Sequence, residues 1–319
     1  MAKNGTTAMV AVLPTCAEVL AEACNYNPVP WLMEHMDRKH TKGKKRKTNK
    51  KRLYVDMPCA FDIETSRVCI DADDNPHTIM YIWQCQLGLD ITIIGRTWDE
   101  WLNFTGAISD YLQANSGPQG DWYLCMYVHN LAHEFQYLSG VLDFGPGDVF
   151  ASKPRRVLKC DNRAIEYRCS MRHSNLSLDA WGKQLGAPHA KLTGALDYSI
   201  VRYPWTPLTS TELAYCINDV RCIVECLLIE MKRDGDDLYT LPLTRTGYVR
   251  RMAREAMYEW GIKKVKRLLP SWELYQMLRE AFRGGDTHAN RYYVGLHLEN
   301  VGSVDMSSAY PAVQCECYF

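Results

Sequence analysis

The chain has 319 residues, of which 47% are hydrophobic, and its 37 Lys/Arg balance 37 Asp/Glu to a formal net charge of zero. That length suits about two domains with a real core, and the balanced charge singles out no class of partner. The 13 cysteines, with no secretory leader and no C-x-x-C pair, read as reduced thiols of a cytoplasmic protein; they exclude a disulfide scaffold and a zinc site of ordinary spacing, and no apolar run approaches a membrane span.

Residues 1–37 include a modest amphipathic segment, about Cys16–Ala23, after Pro14. Arg38 to Arg52 then holds ten Lys/Arg and no acid, leaving 27 basic against 37 acidic residues elsewhere. This block is either a solvated linker or a phosphate-contacting arm. Strands are expected at Leu53–Glu64, Thr78–Leu87, Ile91–Arg96, Trp122–Val128, Val149–Leu158 and Ala164–Met171. Helices are expected at Thr97–Gln113, Asn130–Ser139, Leu178–Leu185 and Ser210–Lys232. Strands first, with helices interleaved and following, indicate an α/β domain with a mixed sheet over 53–235. It follows an N-terminal extension, 1–52. The pattern breaks at Asp234-Gly-Asp-Asp, and a basic helix (Thr246–Trp260) and a second helix opened by Pro270-Ser271 lie in 236–319.

Three stretches carry candidate chemistry. In Cys59-Ala-Phe-Asp62-Ile-Glu64-Thr65-Ser66, strand alternation puts Asp62 and Glu64 on one face and Phe61 and Ile63 on the other. Two carboxylates on one face of an apolar strand are costly unless a cation compensates, and Mg²⁺, an oxygen-seeking ion, suits them. In Tyr127-Val-His129-Asn130-Leu-Ala-His133-Glu134, a strand ends and Asn130 is a natural N-cap. Leu131, Phe135 and Leu138 form the core stripe, while Asn130 and Glu134 share another face near the helix start. An ordinary cap with a solvated glutamate is the plainer alternative. The third stretch is the helix opened by the capping box Thr209-Ser-Thr-Glu212. Its apolar stripe is Leu213, Ile217, Val220, Val224, Leu227 and Met231, with Asn218, Arg221, Glu225 and Lys232 on the solvent side. Tyr215, Asp219, Cys222 and Cys226 fall between the two, so Asp219 is an acid away from water; a structural salt bridge is the alternative. Asp62, Glu64, Glu134 and Asp219 converging on one point would suit two Mg²⁺ ions about 4 Å apart, with the Tyr215 hydroxyl on the attacking water or the phosphate.

These residues resemble the proofreading 3′–5′ exonuclease domains of family B DNA polymerases, in the RNase H-like superfamily, and above all the protein-primed polymerases of bacteriophages and linear plasmids. Asp62, Glu64 and Thr65 match that family's Asp-x-Glu-Thr motif. Asn130 matches the second motif, where His133 stands at an aromatic position and Glu134 replaces Asp. Tyr215 and Asp219 match the third, Tyr-x-x-x-Asp. Ser177-Leu178 match a pair of single-strand ligands, and Lys191 matches, with a small offset, a phosphate-contacting lysine. Phe282-Arg-Gly284-Gly285 looks like the Tyr-x-Gly-Gly linker, and Asp305-Met-Ser-Ser-Ala-Tyr310-Pro311 looks like polymerase motif A.

The resemblance implies an RNase H-like exonuclease domain over 53–235 and the opening of a polymerase palm within 236–319. It implies two Mg²⁺ or Mn²⁺ ions in the exonuclease site, with Asp305 as a ligand of the polymerase metal and Tyr310 beneath the incoming sugar. It further implies DNA contacts by Thr65, His129, Asn130, Ser177, Leu178, Lys191, Gly284 and Gly285. The partners would be single-stranded 3′ ends, primer-template DNA and a terminal priming protein, met by a monomer. Only eight residues follow Pro311, and they hold neither the later Asp-Thr-Asp motif nor the nucleotide-binding lysine helix, so the chain is expected to be a fragment or an early-ended reading frame. A non-catalytic module binding DNA or a priming protein, with His133 and Glu134 marking a decayed site, is the alternative. Another RNase H-like nuclease, such as a ribonuclease, is a third reading that Asp305–Pro311 argues against. Non-specific DNA affinity is assigned to Arg38–Arg52 and Arg245–Arg254, and Tyr127, Phe135 and Tyr137 are either base stackers or core.

Overall fold

The structure, a computed structural model, describes residues 13–36, 51–69, 76–189, 191–192, 196–281, 290–302 and 304. In chain order these give β1 (Leu20–Glu22), α1 (Val29–His35), β2 (Arg52–Tyr54), β3 (Cys59–Cys69), β4 (Pro76–Leu87), β5 (Ile91–Gly95), α2 (Trp98–Ala114), β6 (Asp121–Val128), α3 (Leu131–Leu138), β7 (Val149–Ala151), β8 (Val157–Asn162), β9 (Ile165–Cys169), α4 (Ser170–Ser174), α5 (Leu178–Leu185), α6 (Ser210–Asp234), α7 (Arg245–Trp260), α8 (Ile262–Arg267) and α9 (Trp272–Ala281). The strands form one mixed sheet in the order β1-β5-β4-β3-β6-β9-β8-β7, with β2 added beside β6. The β3-β4-β5 meander is antiparallel, whereas β3, β6 and β9 run parallel. The chain divides into two compact units, Met1–Arg254 and Glu255–Phe319. The second contains the end of α7 with α8 and α9, and none of the residues of these helices is buried. Among the described residues no helix is long and apolar enough to cross a membrane.

The alternation expected of β3 is what separates core from site. Phe61 and Ile63 enter the layer shared with α1, α2 and α3, together with Trp83, Trp101, Phe104, Ile108 and Leu131. Phe61 stacks on Trp101 with ring centroids 4.1 Å apart. On the opposite face Ala60, Cys125 and Tyr127 meet Leu178 and Trp181 of α5 and Val220, Ile223, Val224 and Leu227 of α6. Capping boxes at Thr97/Glu100 and Thr209/Glu212 fix the starts of α2 and α6.

Gly95 pairs with Trp83 across β4–β5, and a Cβ there would lie 2.3 Å from the indole of Trp83. Trp83 is fully buried and cannot swing away. Gly95→Ala is therefore expected to destabilise the first unit by overpacking, by about 1–3 kcal/mol, read as a lowered urea midpoint.

Several expectations need correction. Leu53–Glu64 is two strands, because the turn ending at Pro58 separates β2 from β3, and Pro58 cannot donate to a ladder. Val149–Leu158 is likewise β7 and β8 around a turn at Ser152–Arg156. Ala164–Met171 stops at Cys169, where α4 begins. The segment at Cys16–Ala23 becomes β1, paired in parallel with β5. Arg52, counted with the basic block, belongs to β2, and its guanidinium is held by Asp161 and Glu166; residues 37–50 lie outside the described residues. Arg221 and Glu225 are not on a solvent face of α6, being 7% and 0% exposed. Glu225 accepts hydrogen bonds from the backbone N of Cys16 (2.9 Å) and of His189 (2.8 Å), and Arg221 Nε donates to Thr92 Oγ1 (3.1 Å). Segments distant in sequence thus cover that face, and helix periodicity cannot register them.

Candidate active site

Asp62 and Glu64 reach the α6 side of the sheet because they alternate with the core residues Phe61 and Ile63. Asp219 reaches the same point because Val220 and Val224 pin α6 against the sheet. One carboxylate oxygen from each of Asp62, Glu64 and Asp219 lies within 4.8 Å of the other two. Asp62 is half-buried, Glu64 and Asp219 buried.

Hydrogen bonds only partly satisfy these groups. Gln84, directly opposite Asp62 in the β3–β4 ladder, donates its Nε2 to Asp62 Oδ2 at 2.8 Å. Lys191 Nζ donates to Asp219 Oδ2 at 2.5 Å. Asp219 Oδ1 and Glu134 Oε2 are buried with no hydrogen-bond partner. Burial, and then the charge of Asp219, raise the Asp62 carboxyl above its ordinary pKa. Burial, and then Asp62 and Asp219, raise that of Glu64. Burial also raises Asp219, although the Lys191 ammonium opposes it. Burial disfavours the charge of Lys191, but Asp219, Asp62 and Glu64 outweigh it and raise its pKa.

Three of the four expected carboxylates therefore converge. Glu134, on the first turn of α3, is 3% exposed and stands outside that set. After burial, the Asp62 charge is the largest influence raising its carboxyl. It is thus a buried acid within electrostatic reach of the cluster, not a solvated one. The donor set of hard carboxylate oxygens, crowded by like charge and with an unpartnered buried oxygen, fits a divalent ion such as Mg²⁺ or Mn²⁺, which Asp62, Glu64 and Asp219 could hold.

The other candidates are scattered around this centre. Tyr215 is buried beside Tyr81, Ile82 and Leu196; its hydroxyl lies 3.1 Å from that of Tyr198, and its ring lies under Lys191 Nζ at 5.2 Å. His129 Nδ1 lies 3.1 Å from Ser170 Oγ, and burial followed by the Lys191 charge lowers its pKa to about 4, so the imidazole is neutral. Asn130 holds the N-cap position of α3 in the left-handed region, φ 74°, and makes no side-chain cap. Its carbonyl instead closes a turn onto the His133 N–H at 2.8 Å, and an asparagine tolerates that backbone. Thr65 follows an irregularity in the β3–β4 register. Ser177 caps α5 by accepting from Ala180 N, and Leu178 is buried in the core beneath it. Gly284, Gly285, Asp305 and Tyr310 lie outside the described residues. Sequence reasoning did not assign Gln84 or Tyr198 to the site. A glutamine within the apolar run Ile79–Leu87 was a usable signal for the first; nothing in the spacing linked Tyr198 to Tyr215.

The expected kinship with protein-primed family B polymerases holds at the level of the fold, which is one found in a DNA polymerase. Similar solved structures include those of phi29 DNA polymerase: a complex with primer-template DNA and incoming nucleotide substrates (17% identity, TM-score 0.51, 77% of this chain and 41% of that one), a complex with single-stranded DNA (18%, 0.52, 76% and 41%) and an orthorhombic crystal form (19%, 0.52, 74% and 40%). The chain thus spans about two fifths of the length of that polymerase. No protein-family model and no curated protein sequence matches it.

Proposed function

We propose that this chain carries the 3′–5′ exonuclease of a family B, protein-primed DNA polymerase, hydrolysing terminal phosphodiester bonds of single-stranded or frayed 3′ ends. The carrying observation is the convergence of Asp62, Glu64 and Asp219 from a strand and a distant helix. The strand order β5-β4-β3-β6-β9, three antiparallel strands followed by two parallel ones, supports an RNase H-like domain over 53–235. The polymerase motif at Asp305–Pro311 is part of the same reading.

Asp62, Glu64 and Asp219 would hold Mg²⁺ or Mn²⁺, with Glu134 in reserve beside Asp62. When bound, two such ions supply an activated water and charge neutralisation at the departing oxygen. Lys191 neutralises Asp219 when no cation is bound and offers a cation to the terminal phosphate once that contact is released. The Tyr215 hydroxyl, oriented by Tyr198, positions the phosphate or the attacking water. His129, neutral, donates or accepts a hydrogen bond without adding charge. Thr65, Asn130 and Ser177 border the path of the terminal nucleotides, and Leu178, buried beneath Ser177, supports it from the core. A priming protein, and the cytoplasm of a host, complete the proposal.

A second reading has one observation behind it. The Lys191–Asp219 contact already balances part of the cluster, as in a decayed site that binds DNA without cutting it. Two measurements separate the readings. With Mg²⁺, the active chain yields a ladder from a 5′-labelled single strand, and Asp62→Ala or Asp219→Ala yields none; titration calorimetry with Mn²⁺ gives coupled binding of two ions. A wild-type chain that gives neither ladder nor Mn²⁺ heat defeats the exonuclease proposal.

A further inference from the structure

Residues 196–206 run between β3 and the start of α6, and the rest of the first unit pins them at several points. The Tyr198 hydroxyl meets that of Tyr215 at 3.1 Å. Arg202 N donates to Ser66 Oγ, two residues beyond Glu64, at 2.8 Å, while its guanidinium pairs with Glu212 of α6. Arg96 donates to the carbonyls of Tyr81 (2.7 Å), Tyr203 (3.2 Å) and Thr206 (2.8 Å). Inside this clamp, Tyr203 and Trp205 stack across Pro204 with their planes 3° apart and centroids 5.0 Å apart. Trp205 is nevertheless 76% exposed. One indole face lies on Tyr203, so the exposed area is chiefly the opposite face.

We propose that this outer face of Trp205 is a stacking platform for one nucleobase of the single strand whose 3′ end enters the carboxylate site. The proposal rests on the exonuclease reading and adds to it a binding residue outside the acidic cluster. Ser66 and Tyr215 tie the segment to the elements that carry Glu64 and Asp219, which sets it at the border of the site that a strand ending among those carboxylates would enter. The indole is backed by the Tyr203 ring, and Arg96 holds the backbone on either side of it at Tyr203 and Thr206, so it loses little freedom on binding a base. A tryptophan that anchors a protein partner works by entering a pocket; one laid flat on a tyrosine presents a plane, and a base has a matching plane. Stacking is indifferent to base identity, as removal of any terminal nucleotide requires.

The test uses the full chain in EDTA, so that nothing is cut, and a short 5′-labelled oligothymidylate followed by fluorescence anisotropy. Trp205→Ala is expected to weaken binding about tenfold, within the range for loss of one stacked base, and Trp205→Phe to restore most of it. The slope of affinity against salt stays the same, because no phosphate contact is lost. Moving one abasic position along the oligonucleotide locates the stacked base: wild type loses the same factor at a single position, and Trp205→Ala loses nothing there. A purely local Tyr-Pro-Trp stack would instead lower the melting temperature of Trp205→Ala and leave DNA affinity as in wild type, which overturns the platform while Glu64-dependent hydrolysis still stands. A wild-type chain that binds no single strand overturns the exonuclease reading and the platform together.

Discussion

Glu64→Gln is expected to raise the melting temperature of the protein in EDTA, to abolish its stabilisation by Mn²⁺, and to cut 3′-end hydrolysis by about 10³-fold or more. The three effects share one cause. Without a cation, Glu64 is a buried carboxylate facing Asp62 and Asp219, and burial and those two charges raise its pKa. Glutamine keeps the shape and removes the repulsion, so the empty site is relieved. The same substitution removes an anionic ligand from the cluster, and metal catalysis supplies several kcal/mol of charge stabilisation, each 1.36 kcal/mol being tenfold in rate.

The sign of the pH dependence follows. A carboxyl whose pKa is raised in the folded state binds protons there more tightly than in the unfolded chain. Stability therefore falls as pH rises through the ordinary carboxylate range and above it, and is unaffected well below that range. In EDTA the wild-type midpoint should drop between pH 4.5 and about 9; Glu64→Gln should flatten that limb, and Mn²⁺ should flatten it in wild type but not in the variant. A variant that melts lower than wild type in EDTA at pH 8 means that Glu64 has a stabilising partner, and the account of the cluster fails. Asp219 is the less suitable probe, since its removal also orphans Lys191.

Local rules carried the strands and helices that hold the site. Alternation placed Asp62 and Glu64 opposite Phe61 and Ile63, and the periodicity of α6 set Asp219 and Tyr215 apart from its main stripe; both follow from geometry within one element. What escaped was contact between elements. Glu225 sits among charges on paper, yet Cys16 and His189 cover it, more than thirty residues away along the chain in each case. Glu134 has the spacing of a solvated first-turn acid and is buried because α3 lies against the sheet. The Lys191 partner of Asp219 could not be read from α6, since it arrives from a segment whose path no periodicity describes. Arg52 was one cation in a run of cations; only the ladder between β2 and β6 shows that it opens a strand.

That strand leads to the second large effect, which concerns stability alone. Glu166→Gln is expected to cost about 3–5 kcal/mol, much of the roughly 5–15 kcal/mol that holds a domain folded. Glu166 is 2% exposed. Its Oε2 accepts from Arg52 (2.5 Å), Lys159 (3.0 Å) and the Tyr54 hydroxyl (3.0 Å), and its Oε1 from Arg168 Nε (2.6 Å). Asp161 shares Arg52 and Lys159, but Arg168, itself buried, has only Glu166 as a carboxylate partner among the described residues; its other bonds go to the Tyr127 hydroxyl and the Leu238 carbonyl. Neutralising Glu166 strands a buried guanidinium at the junction of β6, β8 and β9, which is far costlier than never having had the pair. Burial opposes the Glu166 charge, yet Arg168 and Lys159 outweigh it and hold the pKa at about 2. A depressed carboxyl stabilises the fold above its unfolded pKa, near 4.5, and that contribution is lost as pH falls from there towards 2. Urea unfolding of Glu166→Gln should therefore show a lower midpoint at pH 7 and a shallower decline into acid than wild type. Arg168→Met alone should cost a comparable amount, and the double variant less than the sum, because it leaves no orphaned charge between the two. Additive losses would mean that Glu166 and Arg168 stabilise the sheet independently, each through Arg52 and Tyr127 on its own side.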